Sequence, residues 1–265
     1  MLNRLLQNKY KLIAAFLAIY LLADLVLHKG LVRVMIQKKF PDHAIDSGAS
    51  KDKHMLINTG KSWVKAVNTL ARLEAIDQYC SGMECDVYFD TAKKIFDVHH
   101  DENKSTGLNL DTLLQVYRKR GLQSSLWLDF KNLTDNNARE SLLTLIQLRK
   151  RYGLNNKVLV ESSQAYLLKD FGDSVFYTSF YTPLFNPYLA TDDSIKRSVD
   201  SLSVVISKVS VDALSGYYFQ YPFLYHYFPR YPILIWSPND RFSLVNWWYK
   251  YKIEHTPEVF ISLYN

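Results

Sequence analysis

Acidic, histidine and lysine residues recur near the ends of short apolar segments in the first half of the chain. Glu84 and Asp86 stand two residues apart, and His99 follows Asp86 by thirteen residues. Asp129 and Lys131 repeat the two-residue spacing in a later segment. Residues two apart on a strand point to the same face, so each pair would act together. Carboxylates, an imidazole and an ammonium group are what metal-assisted phosphodiester chemistry uses.

The three acids predict a cation site. Burying carboxylates without a partner costs several kcal/mol, so Glu84, Asp86 and Asp129 need a compensating charge. An oxygen-only ligand set suits Mg²⁺ or Ca²⁺ better than zinc. The alternatives are a salt bridge to Lys131 or a solvated strand end.

His99 is the candidate for proton transfer. A neutral imidazole beside a metal can act as general acid or base on a phosphodiester. Strand alternation lets only one of His99 and His100 face inward. A strand-end histidine is otherwise structural or exposed, but the spacing from Asp86 favours His99.

Strands and helices alternate after residue 54, which predicts a (β/α)₈ barrel of the TIM type. We predict strands at 55–60, 83–89, 94–100, 126–130, 158–161, 175–180, 204–209, 233–236 and 259–263. We predict helices at 63–78, 110–120, 137–152, 164–171, 193–201 and 242–252. A doubly wound open sheet is the alternative, but Asn58-Thr-Gly60 is not its glycine-rich phosphate loop.

Aromatic residues cluster at 217–228. This segment is either a lid that touches lipid or ordinary packing of a helix on the barrel. Trp236, at a predicted strand end, is a candidate pocket residue.

The N-terminus contains an apolar run at 12–27, broken only by Asp24. Three basic residues precede the run, and no small-residue cleavage site follows it. We therefore expect an uncleaved signal anchor with a cytoplasmic N-terminus and an extracytoplasmic catalytic domain, although four basic residues after the run favour the opposite orientation. The alternatives are a cleaved signal peptide or a buried helix. The expected organisation is an anchor at 1–30, a connector at 31–53 and the barrel at 54–265.

Composition narrows the class of protein. The chain has 265 residues, of which 48% are hydrophobic and 22% charged, which suits one barrel with an appendage. The net charge of +6 comes from scattered lysines. A membrane surface or a phosphate-bearing substrate explains that charge at least as well as nucleic acid, which we do not expect as a partner. The spacing of Cys80 and Cys85 does not match a zinc site. Cys85 is expected to be buried. A Cys80–Cys85 disulfide is an alternative if the domain is extracytoplasmic.

The pattern Glu-x-Asp, then His, then an acid two before lysine resembles the glycerophosphodiester phosphodiesterase branch of the phospholipase-C-like barrels. The menorin family of that superfamily is a closer resemblance. Its motifs correspond to Trp63-Val-Lys-Ala-Val-Asn68, Glu84-Cys-Asp-Val87, His99-His-Asp101 and Leu128-Asp-Phe-Lys131. Ile235-Trp-Ser-Pro-Asn239 and Ile261-Ser-Leu-Tyr-Asn265 resemble the last two strands of the phosphodiesterases.

The resemblance covers about residues 54–265. It implies metal binding by Glu84, Asp86 and Asp129. It also implies a catalytic role for His99 and a phosphate-side role for Lys131.

The chain departs from the family at the first catalytic histidine. Asn58-Thr-Gly60 stands where the diesterases have His-Arg-Gly, and Lys65 stands where menorins have histidine. Lys65, His54 or His100 would have to substitute. Lys65 could bind phosphate, but an ammonium group is a poor proton shuttle at neutral pH.

Two functions therefore compete. One is a membrane-anchored, metal-dependent phosphodiesterase acting on a glycerophosphodiester, a phospholipid headgroup or a phosphodiester-linked glycan. The other is an inactive barrel that serves as a binding or assembly module at the membrane.

Overall fold

The structure is a computed structural model that describes residues 2–36, 38–45, 54–102, 104–238 and 240–264. The side chains of residues 2–8 are not described. Most of the second half of the expected connector, and Asn239 and Asn265 of the family motifs, lie outside the described residues.

Eight parallel strands close into a barrel, so the predicted TIM-type fold is confirmed. They are β1 (Ser62–Val64), β2 (Gly82–Asp90), β4 (Ser125–Phe130), β5 (Val158–Ser162), β6 (Tyr177–Tyr181), β7 (Ala213–Tyr217), β8 (Ile233–Trp236) and β9 (Val259–Tyr264). β3 (Ile95–Val98) pairs antiparallel with the end of β2 and stands outside the barrel. Because β1 pairs with both β9 and β2, the sheet has no open edge there and the doubly wound alternative is wrong.

Helices surround the barrel. They are α1 (Leu2–Leu27), α2 (Lys29–Met35), α3 (Leu70–Glu74), α4 (Leu110–Lys119), α5 (Ala138–Tyr152), α6 (Lys169–Asp173), α7 (Asp192–Ile206), α8 (Tyr221–Tyr227) and α9 (Leu244–Glu254). A 3₁₀ turn at Ala165–Leu168 leads into α6. Side-chain caps at Asn109 and Thr191 start α4 and α7, and Gly153 ends α5 with φ of 67°.

The first strand lies where we predicted a helix. Residues 55–60 are not a strand, and the helix predicted at 63–78 is reduced to α3. The reason is that Trp63 fills the barrel interior, where it is 1% exposed and meets Trp127 edge to face at 6.5 Å. Gly82 on β2 permits this, since a Cβ there would lie 2.1 Å from the indole of Trp63.

The strand predicted at 204–209 is also wrong. Ile206 of that segment continues the buried face of α7, on which Ile195, Val199, Leu202 and Ile206 follow each other at helical spacing, whereas Val204 is 54% exposed. β7 follows instead at Ala213–Tyr217, where serine and glycine weaken the strand signal.

The barrel interior is apolar below its carboxyl end, which we call the mouth. Trp63, Trp127, Leu159, Tyr177, Ala213, Leu234, Ile261 and Leu263 form one buried cluster. This core leaves the mouth as the polar end, where TIM barrels place their functional groups.

The aromatic segment after β7 packs against the barrel. Phe223, Leu224 and Tyr227 of α8 are buried, which agrees with ordinary helix packing. Cys85 is buried as expected, and both thiols are free.

The N-terminal helix is apolar and exposed. Lys9–Leu27 spans 19 residues with a mean hydropathy of 2.0 and is 6% buried, so it is long enough to cross a membrane or to serve as a signal sequence. This exposure does not fit the alternative of a buried core helix.

Candidate active site

Three buried carboxylates converge at the mouth. Glu84 and Asp86 share one face of β2, and Asp86 is the register partner of Asp129 on β4. Each residue offers an oxygen within 4.8 Å of the others. Because Ca²⁺ binds oxygens at about 2.3–2.6 Å, opposite ligands lie up to roughly 5 Å apart. The spacing therefore accommodates a divalent cation.

The loop between β1 and α3 orients two of these acids. The Ala66 N–H donates to Glu84 Oε2 at 2.6 Å, and Ala66 adopts the left-handed region with φ of 56°. Asn68 donates to Asp86 Oδ2 at 2.6 Å and accepts from the Asp86 N–H at 3.0 Å. Glu84 Oε1, in contrast, is buried with no hydrogen-bond partner among the described residues. That unpaired oxygen is available to a ligand.

Lys131 pairs with two of the three acids. Its Nζ lies 2.8 Å from Asp86 Oδ1 and also contacts Asp129 Oδ2. The salt-bridge alternative is therefore present in the structure. One ammonium group nevertheless cannot neutralise three carboxylates, and Glu84 is not among its partners.

The pKa shifts reflect this imbalance. Burial and the neighbouring charge of Asp86 raise the pKa of Glu84 well above its usual range. Burial raises the pKa of Asp129 to about 6, although Lys131 opposes the shift. Burial alone would lower the pKa of Lys131, but the charges of Asp129 and Asp86 raise it. With an unpaired oxygen and an oxygen-only donor set, the cluster fits Mg²⁺ or Ca²⁺.

A second lysine reaches the same region. Lys65 Nζ lies 5.3 Å from the ring centre of Trp236, and Lys131 Nζ lies 5.6 Å from it. Trp236 ends β8, so it belongs to the mouth, as its predicted strand-end position suggested. Two ammonium groups therefore lie against one indole beside the acids.

His99 is buried and His100 is 68% exposed on its side chain, as strand alternation predicts. His99 Nδ1 lies 2.9 Å from the Asp101 carbonyl, an acceptor, so Nδ1 carries a proton, and in the neutral imidazole Nε2 is the acceptor. The imidazole ring stacks on the Tyr88 ring, with 4.3 Å between the ring centres and an interplanar angle of 4°. Tyr88 is the next residue after Asp86 on the inward face of β2, which puts His99 at the rim of the acid cluster.

His54 does not reach the mouth. Its Nδ1 lies 3.0 Å from Asp212 Oδ1, and Asp212 immediately precedes β7 at the opposite end of the barrel. His54 therefore cannot replace the missing first histidine. His100 faces solvent and pairs with Asp101 at 2.8 Å, and its charge makes a minor contribution that lowers the pKa of Asp129.

Glu161 was not anticipated from the sequence. It is fully buried on β5 in register with Asp129, and neither carboxylate oxygen has a hydrogen-bond partner in the described part of the chain. Burial and the Asp129 charge raise its pKa well above the usual range. The nearby Ser215 hydroxyl lowers that pKa in part but donates to the Phe180 carbonyl at 3.3 Å. The signal was available, since an acid follows three apolar residues here as in the segment that contains Asp129.

We expect Glu161→Gln to remove a pH-dependent loss of stability. Because its pKa is raised, Glu161 keeps its proton to a higher pH in the folded protein than in the unfolded chain, which releases it near pH 4.3. The unfolded state then binds fewer protons, so stability falls as pH rises from about 4.3 toward the folded pKa, by up to about 1.4 kcal/mol per pH unit. Glutamine cannot ionise and should abolish this slope.

The measurement is urea unfolding of the full chain in detergent and chelator between pH 5 and pH 8. Glu140→Gln is the control: Glu140 is half-exposed on α5 and pairs with Lys94 at 2.9 Å, and its loss should leave the slope unchanged. Parallel pH curves for wild type and Glu161→Gln would show that Glu161 is ionised in the fold.

Structural comparison relates this barrel to phosphodiesterases. A glycerophosphodiester phosphodiesterase from Parabacteroides distasonis superposes with a TM-score of 0.51 and 15% identity, over 78% of this chain and 92% of that chain. An Oleispira antarctica phosphodiesterase, solved with its product sn-glycerol-3-phosphate, superposes with a TM-score of 0.52 and 14% identity, over 76% of this chain and 92% of that chain. No protein-family model matches the sequence, and no curated protein matches it significantly.

At these identities the similarity shows the fold alone. It agrees with the broader resemblance to the phosphodiesterase branch. The narrower resemblance to menorins finds no support in these comparisons.

Proposed function

We propose that this protein is a divalent-cation-dependent phosphodiester hydrolase held at a membrane. The observation that supports it best is the convergence of Glu84, Asp86 and Asp129, with a buried unpaired oxygen, at the mouth of a barrel whose fold matches glycerophosphodiester phosphodiesterases.

The three acids would hold Mg²⁺ or Ca²⁺. When bound, such a cation supplies Lewis-acid stabilisation of charge on a phosphoryl oxygen. Ala66 and Asn68 keep two of the acids oriented for this task through the hydrogen bonds described above.

Lys131 and Lys65 would bind the nonbridging phosphate oxygens. Both ammonium groups lie against Trp236, beside the acids, and Lys131 is half-buried. Positive charge fixed there favours the phosphodiester and the additional negative charge of its transition state.

His99 would move the proton. In the neutral imidazole its Nε2 can accept a proton from the attacking water and, once protonated, can donate one to the leaving oxygen. The Asp101 carbonyl and the Tyr88 ring hold the imidazole in one tautomer and one plane.

The structural neighbours and α1 both support a lipid-related substrate class. A related fold binds glycerol-3-phosphate as its product, which favours a glycerophosphodiester or a phospholipid headgroup. The apolar α1 would anchor the chain as a single-pass protein with the barrel on the extracytoplasmic side. The expected division into an anchor, a connector and a barrel belongs to this proposal.

The test is hydrolysis by the full chain in detergent. Glycerophosphocholine and bis-p-nitrophenyl phosphate would be assayed with Mg²⁺, with Ca²⁺ and with chelator. We expect turnover only with a divalent cation. Cation binding should weaken below about pH 6, because Asp129 must lose its proton to act as a ligand.

A binding or assembly module is the second candidate. It is favoured by the Lys131 pairing with two acids and by Lys65 in place of a histidine. Calorimetric cation binding without turnover of either substrate would support this module and contradict the hydrolase.

A further inference from the structure

The last third of α1 is attached to the loop between β8 and α9. Asp24 Oδ2 accepts from the Val245 N–H at 3.0 Å and lies 2.8 Å from His28 through its other oxygen. His28 in turn lies 3.4 Å from Asp240. The Tyr20 hydroxyl donates to the Phe242 carbonyl. Because this loop follows the carboxyl end of a barrel strand, α1 is attached at the mouth.

The chain then runs from the mouth toward the opposite end. Leu31 and Val34 of α2 are buried, and Lys252, near the end of α9, donates to the Met35 carbonyl at 2.7 Å. Tyr227, at the end of α8, donates to the Pro41 carbonyl at 2.6 Å. His54 finally meets Asp212 at the amino end of the barrel.

The residues of α1 that precede Tyr20 lie on the far side of this attachment from α2, because α1 is one continuous helix. Residues 9–23 are all exposed, although Tyr20, at 37%, is partly covered where it meets Phe242. At about 1.5 Å per residue this stretch is roughly 22 Å long. Exposed apolar side chains also lie on the mouth-side loops: Leu184 is 67% exposed, Leu189 is 70% and Phe242 is 86%.

We propose that α1 holds the mouth toward the bilayer, with these loops at headgroup level, so that the substrate is a phosphodiester carried by a membrane lipid. This inference rests on the proposed function, since it takes α1 as a membrane span and the mouth as the catalytic end. The bilayer is the partner that fits, because the exposed apolar stretch of α1 begins where the helix is attached to the mouth-side loops.

The orientation is tested by energy transfer from single labels to acceptor-labelled lipid headgroups, with the full chain in proteoliposomes. In a C80S background, L184C and L189C report on the mouth, and M55C and Y79C report on the amino end. The two ends differ by about 20 Å, the length of a barrel strand, so mouth labels should transfer several-fold more efficiently. Equal transfer, or stronger transfer from the amino end, would overturn the proposal.

Hydrolysis measurements test the proposal independently of the labels. The L184S/L189S variant should hydrolyse soluble bis-p-nitrophenyl phosphate at the wild-type rate but lose several-fold activity on a phospholipid in vesicles. L143S, on an exposed part of α5, is the control and should keep both activities. Equal activity of the two variants on phospholipid vesicles would contradict the contact between these loops and the bilayer. Failure of the wild type on every substrate would overturn the proposed function, while the label measurement would still report the orientation.

Discussion

Glu84→Gln is expected to lower cation-dependent hydrolysis of bis-p-nitrophenyl phosphate by about a thousandfold. Loss of a ligand that holds a catalytic cation removes several kcal/mol of transition-state stabilisation, and about 4 kcal/mol corresponds to a thousandfold. Glutamine keeps the shape and can still accept the Ala66 N–H, so the loss would come from the charge on the oxygen that has no other partner.

The fold should tolerate this substitution. Removing one of several crowded acids relieves repulsion, since the Asp86 charge contributes to the raised pKa of Glu84. We expect an unchanged or higher thermal midpoint in chelator, together with much weaker calorimetric Ca²⁺ and Mg²⁺ binding. Glu140→Gln is the surface control. Wild-type turnover and wild-type cation affinity in Glu84→Gln would exclude the acid cluster as the metal site.

His99→Ala is expected to lower hydrolysis of glycerophosphocholine by about a hundredfold to ten-thousandfold, the usual range for removal of a general acid or base. If His99 protonates the leaving oxygen, the defect should be much smaller with a p-nitrophenyl ester, whose leaving group needs little protonation. The measurement is kcat for both substrates and its dependence on pH.

His100→Ala is the matched control for this variant. It removes the adjacent imidazole, which is exposed, pairs with Asp101 and makes only a minor contribution to the pKa of Asp129, so the variant should retain most activity. An equal loss in both variants would indicate damage to the loop after β3. An equal defect of His99→Ala on both substrates would assign His99 to activation of the nucleophile.

The spacing of charged residues correctly predicted which acids lie together. Glu84 and Asp86 had to share a face because side chains alternate on a strand. Asp129 joined them because the carboxyl ends of neighbouring parallel strands meet at one edge. Neither inference needed knowledge of distant contacts.

The errors occurred where local pattern and long-range packing conflict. The segment at 63–78 has helical periodicity, yet Trp63 lies on a strand because the closing barrel needs a large side chain in its interior. The apolar residues at 204–206 fit a strand or a helix equally well. The buried face of α7 decided between them.

The sequence by itself determined the alternation of strands and helices, the apolar N-terminal segment and the acids that share a strand face. These depend on residues close in the chain, whose geometry is set by the backbone period. Only the tertiary structure decided that Lys65 and Lys131 meet at Trp236, that Lys131 pairs with two acids, and that Glu161 is buried beside them. It also decided that α1 attaches at the mouth. Apart from the local pair of Lys131 and Asp129, these contacts join segments that are distant in sequence, so they exist only once the barrel has closed.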